Sequence, residues 1–135
     1  MKIISSLFAL LILSACAGQF QGLEQPNKDE ALVYYYRPWK YIGAALPLDI
    51  IENGTPIASL GVNEYKVHRT TPGDKTASTK TVGEYDYLPF TAKKGESYFV
   101  RAERSFCLNI LGCVQINLVP KEKALAEIRS CDKVD

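Results

Sequence analysis

The hydrophobic positions divide the chain into three kinds of sequence. Residues 3–13 are apolar apart from Ser5 and Ser6. Residues 17–30 are mostly polar and hold Gly18, Gly22 and Pro26. From Ala31 onward, short apolar-rich stretches alternate with turn signals. The first run falls short of the roughly 20 apolar residues that a membrane-spanning helix needs. With Lys2 before it and the small residues Ser14 and Ala15 after it, it has the plan of an export signal. The second stretch reads as a flexible tether, with an r.m.s. reach near ~20 Å for about 14 residues.

The remainder predicts strands. Residues 31–37 (Ala-Leu-Val-Tyr-Tyr-Tyr-Arg) are β-formers without polar alternation before Arg37, as a strand in the middle of a sheet would be, and Pro38 ends them. Residues 46–52 follow. Asn53-Gly54 is a two-residue hairpin signal, and residues 55–60 return, with Pro56 suited to an edge or first position. Residues 64–70 set Tyr65 and Val67 opposite Lys66 and His68, and Thr71-Pro72-Gly73-Asp74 suits a type II turn. Residues 75–82, polar and threonine-rich, read as an edge strand. Residues 85–92, 97–105 and 114–119 complete the set, with Lys93-Lys94-Gly95-Glu96 as a turn. In 120–130 the period changes: Leu125, Ile128 and Cys131 share one helical face among good helix formers, which predicts a short C-terminal helix. The whole predicts an all-β fold, an antiparallel β-sandwich over residues 31–135 closed by that helix.

Leu13-Ser14-Ala15-Cys16 ends the first apolar run and resembles the lipid-attachment box of bacterial lipoproteins. A plain secretory signal cut after Ala15-Cys16-Ala17 also fits the residue sizes. The resemblance implies that residues 1–15 are removed. It also implies that Cys16 carries a thioether-linked diacylglycerol on an acylated N-terminus, and that residues 16–30 are the lipidated tip and tether. Each buried methylene contributes about 0.8 kcal/mol, so several acyl chains hold durably. Ala17 stands where an aspartate marks retention at the inner membrane in enterobacteria. The expected location is therefore the outer membrane, facing the periplasm.

Removing 15 of the 135 residues leaves 120, enough for one domain. The 16 basic and 15 acidic residues become 15 and 15 once Lys2 is lost. That balance speaks against nucleic acid as a partner and against electrostatic binding to anionic lipid. Export places Cys107, Cys113 and Cys131 in an oxidising compartment. Cys107 and Cys113 flank five residues and are the first choice for a disulfide across a hairpin. Cys131, free in that pairing, could displace either partner, and the connectivity stays open.

The order of several short motifs resembles a family of small bacterial lipoproteins built on a domain of unknown function. These are Leu32-Val33-Tyr34-Tyr35-Tyr36-Arg37-Pro38, Glu52-Asn53-Gly54, Thr71-Pro72-Gly73-Asp74 and Lys94-Gly95-Glu96-Ser97-Tyr98-Phe99-Val100-Arg101. The resemblance runs from about Ala31 to Ile128 and implies a transthyretin-like (prealbumin-like) sandwich. It brings no activity, and the Cys107–Cys113 segment lies outside the family pattern.

Candidate chemistry is sparse. His68 is the single histidine, without metal-like spacing around it, and reads as a solvent-facing strand residue. No Gly-x-Ser-x-Gly, Cys-x-x-Cys or Gly-rich phosphate loop occurs. Asp49 and Glu52, near a hairpin turn, read as solvated carboxylates. No cofactor, metal site or enzymatic activity is expected. Two stretches are candidates for binding. One is Arg37, Trp39 and Tyr41, in a segment rich in rings and cations, the residue types that dominate interface energies. The other is Leu108, Ile110 and Leu111, an apolar loop that, if exposed, would touch a partner protein or the bilayer. The bland alternatives are rings capping the sandwich and a loop folded back as its plug. The leading functional expectation is a lipid-anchored, non-catalytic envelope protein that binds a protein or cell-wall partner. The alternatives are an inhibitor of an envelope-attacking hydrolase and, least favoured, a cell-wall enzyme.

Overall fold

A computed structural model describes residues 19–81, 83–108 and 113–135. Among the described residues, nine strands and one helix follow in chain order: β1 Ala31–Arg37, β2 Leu48–Glu52, β3 Thr55–Leu60, β4 Glu64–Thr70, β5 Gly73–Thr81, β6 Glu84–Ala92, β7 Ser97–Ser105, β8 Cys113–Leu118, α1 Lys121–Ile128 and β9 Asp132–Lys133. They form two sheets, a five-stranded one in the order β8-β7-β1-β4-β9 and a four-stranded one in the order β3-β2-β5-β6. The described residues form an all-β sandwich with one short helix.

Strand β1 organises the fold. Every one of its residues is buried, because both faces of its sheet are covered. Val33 and Tyr35 point between the sheets and meet Leu48, Ile50, Leu60, Ala77 and Val100. Leu32, Tyr34 and Tyr36 point the other way, under Ala124 and Ile128 of α1 and under Phe20 and Leu23 of the N-terminal segment. A strand covered on both faces needs no polar alternation, which accounts for the unbroken apolar run of its sequence.

Several expectations are corrected. The five-stranded sheet is mixed rather than antiparallel: β1 pairs with β7 in parallel, and β4 pairs with β9 in parallel. Strand β5 lies inside its sheet, between β2 and β6, and not at an edge. Its polar residues Asp74, Thr76, Ser78 and Lys80 alternate onto the outward face, while Ala77 and Thr79 face the core. Pro56 does sit on an edge strand, β3. Leu46 lies outside β2, which starts only after Pro47. The Pro72-Gly73 turn carries the chain from one sheet to the other rather than closing a hairpin, with Gly73 at φ 129°. At Asn53-Gly54 both φ values are positive, 48° and 81°, as the tight hairpin turn requires.

The described part of the expected tether, residues 19–30, is laid along the domain. The Phe20 N–H donates to the Cys131 carbonyl at 3.1 Å, and its ring meets Tyr65 edge-on at 5.5 Å. The Glu24 N–H donates to the Tyr34 hydroxyl at 2.8 Å, and Arg69 pairs with both Glu24 and Glu30. Burial of two apolar side chains and these polar contacts outweigh the ordering cost of a segment that composition alone marks as loose.

Candidate functional site

Arg37 ends β1 on the side that faces between the sheets, and it is 2% exposed. Its guanidinium donates to the carbonyls of Leu46 at 2.7 Å, Leu60 at 2.9 Å and Gly43 at 3.0 Å. Burial, together with the nearby Arg104 cation, lowers its pKa to about 10, against the pull of Glu64. Arg37 is therefore removed from the candidate binding surface and becomes the pin that folds loop 38–47 over the end of the sandwich. The same loop is fixed from the other side by Lys40, whose ammonium lies 2.9 Å from Glu103 on β7. Glu103 and Arg101 continue a line of charges to Glu127 of α1, which also accepts from the Tyr36 hydroxyl at 3.0 Å. Held by its backbone and by Lys40, the loop leaves the rings of Trp39 and Tyr41 outside, 58% and 84% exposed.

The second candidate lies at the same end. Strand β7 runs parallel to β1, so its last residue, Ser105, points the way Arg37 does. Ser105 pairs with Cys113, and a Cys107–Cys113 disulfide closes the hairpin. Phe106 is 84% exposed and Leu108 wholly so. Ile110 and Leu111 lie outside the described residues. Cys131 stands apart as a free thiol buried under the helical face, its pKa pushed up to about 12 by burial and by Asp132 and Glu127. Phe106 was missed by sequence reading because it precedes the first cysteine and falls outside the presumed loop.

Around the corner lies the outward face of the four-stranded sheet. Tyr85 and Tyr87 stack in parallel at 6.1 Å and are both more than half exposed. Asp49 and Lys80 are register partners on neighbouring strands. They line two adjoining depressions of about 550 and 330 Å³, with Leu46 and Tyr85 in the larger and Ile51 and Ile57 in the smaller. The alternation Tyr85, Tyr87 against Leu88, Phe90 carried this signal: a strand with large apolar side chains on both faces, of which only one finds a core.

The chemistry that was discounted in the sequence is more ordered than expected. Glu52 is buried between the sheets rather than solvated, and His68 faces it rather than solvent. The Tyr35 hydroxyl donates to Glu52 Oε1 at 2.6 Å, and the Thr70 hydroxyl donates to Oε2 at 2.9 Å. His68 Nε2 lies 3.1 Å from Oε2. Burial alone would raise the Glu52 pKa; the bonds from His68, Tyr35 and Thr70 outweigh it and hold the carboxyl at about 2. Burial and the same carboxylate push the Tyr35 hydroxyl far above its ordinary value. Both hydroxyls donate into the carboxylate, so the cluster closes on itself as a cross-link between β1, β2 and β4 rather than as a nucleophile with its base. Among the described residues, no group of three or more His, Cys, Asp or Glu side chains is arranged to hold a metal.

Comparison with protein-family models, with curated proteins and with solved structures finds no match to this chain.

Proposed function

We propose that the chain is a lipid-anchored, non-catalytic lipoprotein of the bacterial envelope. It is tethered through Cys16, faces the periplasm from the outer membrane and holds a protein partner on the open face of its four-stranded sheet. The family resemblance of its motif order, with the transthyretin-like sandwich it implies, belongs to the same reading. The observation that carries the binding surface is the asymmetry of the sandwich. The middle of one sheet is covered on both faces, whereas the other leaves a stacked tyrosine pair and Leu46 exposed, with half-buried Asp49 and Lys80 beside them. Exposed aromatic side chains are among the residue types that dominate protein interfaces. The non-catalytic reading is supported by the closed hydrogen bonding of Glu52, the one buried carboxylate that has a histidine beside it.

The test is photo-crosslinking in living cells from a reactive residue at position 87, with position 122 on the exposed side of α1 as control. An envelope protein captured from 87 and not from 122 is the expected result. Capture of cell-wall polymer alone would replace the protein partner with a glycan. Capture of a foreign lytic enzyme would make the chain a hydrolase inhibitor. Equal capture from both positions would overturn the assignment of this face.

A further inference from the structure

We propose that the end of the sandwich bearing Trp39, Tyr41, Phe106 and Leu108 seats in the headgroup region of the bilayer, so that the domain is held at a fixed orientation and does not swing on its anchor. The proposal rests on lipidation of Cys16 and adds to it a second, non-covalent contact with the same membrane.

Strand register supplies the first argument. Gln19 bridges Asp132, Asp132 pairs with Glu64, and Glu64 pairs with Arg37. The described chain therefore begins level with Arg37, at the end of the sandwich where loop 38–47 and the β7–β8 hairpin project. Cys16 lies three residues before Gln19. At 3.8 Å between consecutive Cα atoms, the anchor is at most about 11 Å from that point. The opposite end, at the Gly95 turn, is the seven-residue length of β1 away, or about 23 Å. Because residues 19–30 are laid along the domain, the leash cannot lift it by the ~20 Å that a free tether would allow. Of the two ends, the one within reach of the headgroups is the one carrying the exposed rings.

Chemistry supplies the second. Tryptophan and tyrosine are the side chains enriched where hydrocarbon gives way to water, since each offers an apolar ring and a polar handle. Phe106 and Leu108 add apolar surface beside them. The two loops, residues 38–47 and 105–113, together hold one charged residue, Lys40, and its ammonium is paired with Glu103. Among the described residues no row of basic side chains surrounds the rings, so the contact is apolar and independent of anionic lipid. Residues 38–47 are already held by the Arg37 hydrogen bonds to carbonyls, and Phe106 and Leu108 flank a cysteine tied to β8 by the disulfide. Seating them costs little further ordering.

Trp39 is the single tryptophan in the chain, so its fluorescence reports on this contact alone. The experiment uses the full lipidated protein in vesicles of neutral phosphatidylcholine, with or without bromine on the acyl chains near the headgroup. The expected result is a blue-shifted emission that loses about half its intensity in brominated vesicles, as a ring at the interface should. The combined Tyr41→Asp and Phe106→Asp substitutions, both at exposed positions, should reduce that quenching several-fold while the circular dichroism is unchanged. Emission like that of a ring in water, unquenched by bromine, overturns the seating. A blue shift without bromine quenching means that another protein surface covers the ring, and overturns it as well. The mass of the N-terminal peptide is measured on the same sample. Acyl groups present with Trp39 unquenched refute the seating alone, whereas acyl groups absent refute the anchor on which it rests.

Discussion

The Glu52→Gln substitution tests the physical reading of the inter-sheet cluster. Glutamine keeps the size of the side chain and removes its charge. In the native protein the carboxyl is held at about 2 against an ordinary 4.5, although burial alone would push it the other way. Since Glu52 is only 5% exposed, solvent screening takes little from the effect. At 1.36 kcal/mol per factor of ten, the drop corresponds to on the order of 3 kcal/mol of stability. Because the folded state holds the proton less tightly than the unfolded chain, that stability is fully present above about pH 4.5. It is lost as the pH falls toward 2. Glutamine does not titrate, and its carbonyl oxygen recovers part of the hydrogen bonding by accepting from a hydroxyl. The expected cost at pH 6 is therefore about 2–3 kcal/mol. In urea, with a slope of 1–3 kcal/mol/M, the midpoint should fall by about 1–2 M. The sharper readout is the difference between the two proteins as a function of pH. It should shrink from its value at pH 6 to below about 1 kcal/mol near pH 2, where the natural carboxyl is itself becoming protonated. A difference that stays constant with pH, or one below about 1 kcal/mol at pH 6, would refute the claim that Tyr35, Thr70 and His68 stabilise a buried anion.

Two further outcomes follow from the packing. Arg37→Met should leave the sandwich folded but release loop 38–47. Hydrogen exchange at the Ala44 and Leu46 amides, whose bonds lie within the loop, should rise by at least tenfold, with a global loss of about 2–4 kcal/mol from three unsatisfied carbonyls. Protection unchanged in the variant would show that the loop holds itself. The Cys131 thiol, buried and with a pKa pushed up to about 12, should resist alkylation at pH 8 and react at once in 6 M guanidinium. Rapid modification of the native protein would contradict its position under α1.

The sequence made some of this architecture readable and hid the rest for definite reasons. The five apolar residues in Leu32–Tyr36 marked a strand covered on both faces, because no half-exposed strand tolerates such a run. Asn53-Gly54 and the Cys107/Cys113 spacing act over a few residues and were readable for that reason. The parallel pairing of β1 with β7 depends on a crossing through the second sheet, and β9 is two residues long, so neither leaves a local pattern. Phe20 and Leu23 are isolated among polar residues, and no periodicity marks them as the side chains that pack against Tyr34, Tyr36 and Tyr65. Glu52 and His68 are sixteen residues apart, on different sheets, and meet only because the sheets stack. Arg37 was grouped with Trp39 by adjacency, although strand alternation turns it inward, whereas the rings beyond Pro38 are free of that alternation.

The central claim is that this sandwich is fastened to a membrane through one cysteine, with its ring-bearing end toward the lipid. The most direct test is the intact mass of the protein extracted from the envelope fraction. The account predicts a chain that begins at Cys16 and carries a diacylglyceryl group with an acylated amine. A chain that begins at another residue, or at Cys16 without acyl groups, would contradict it.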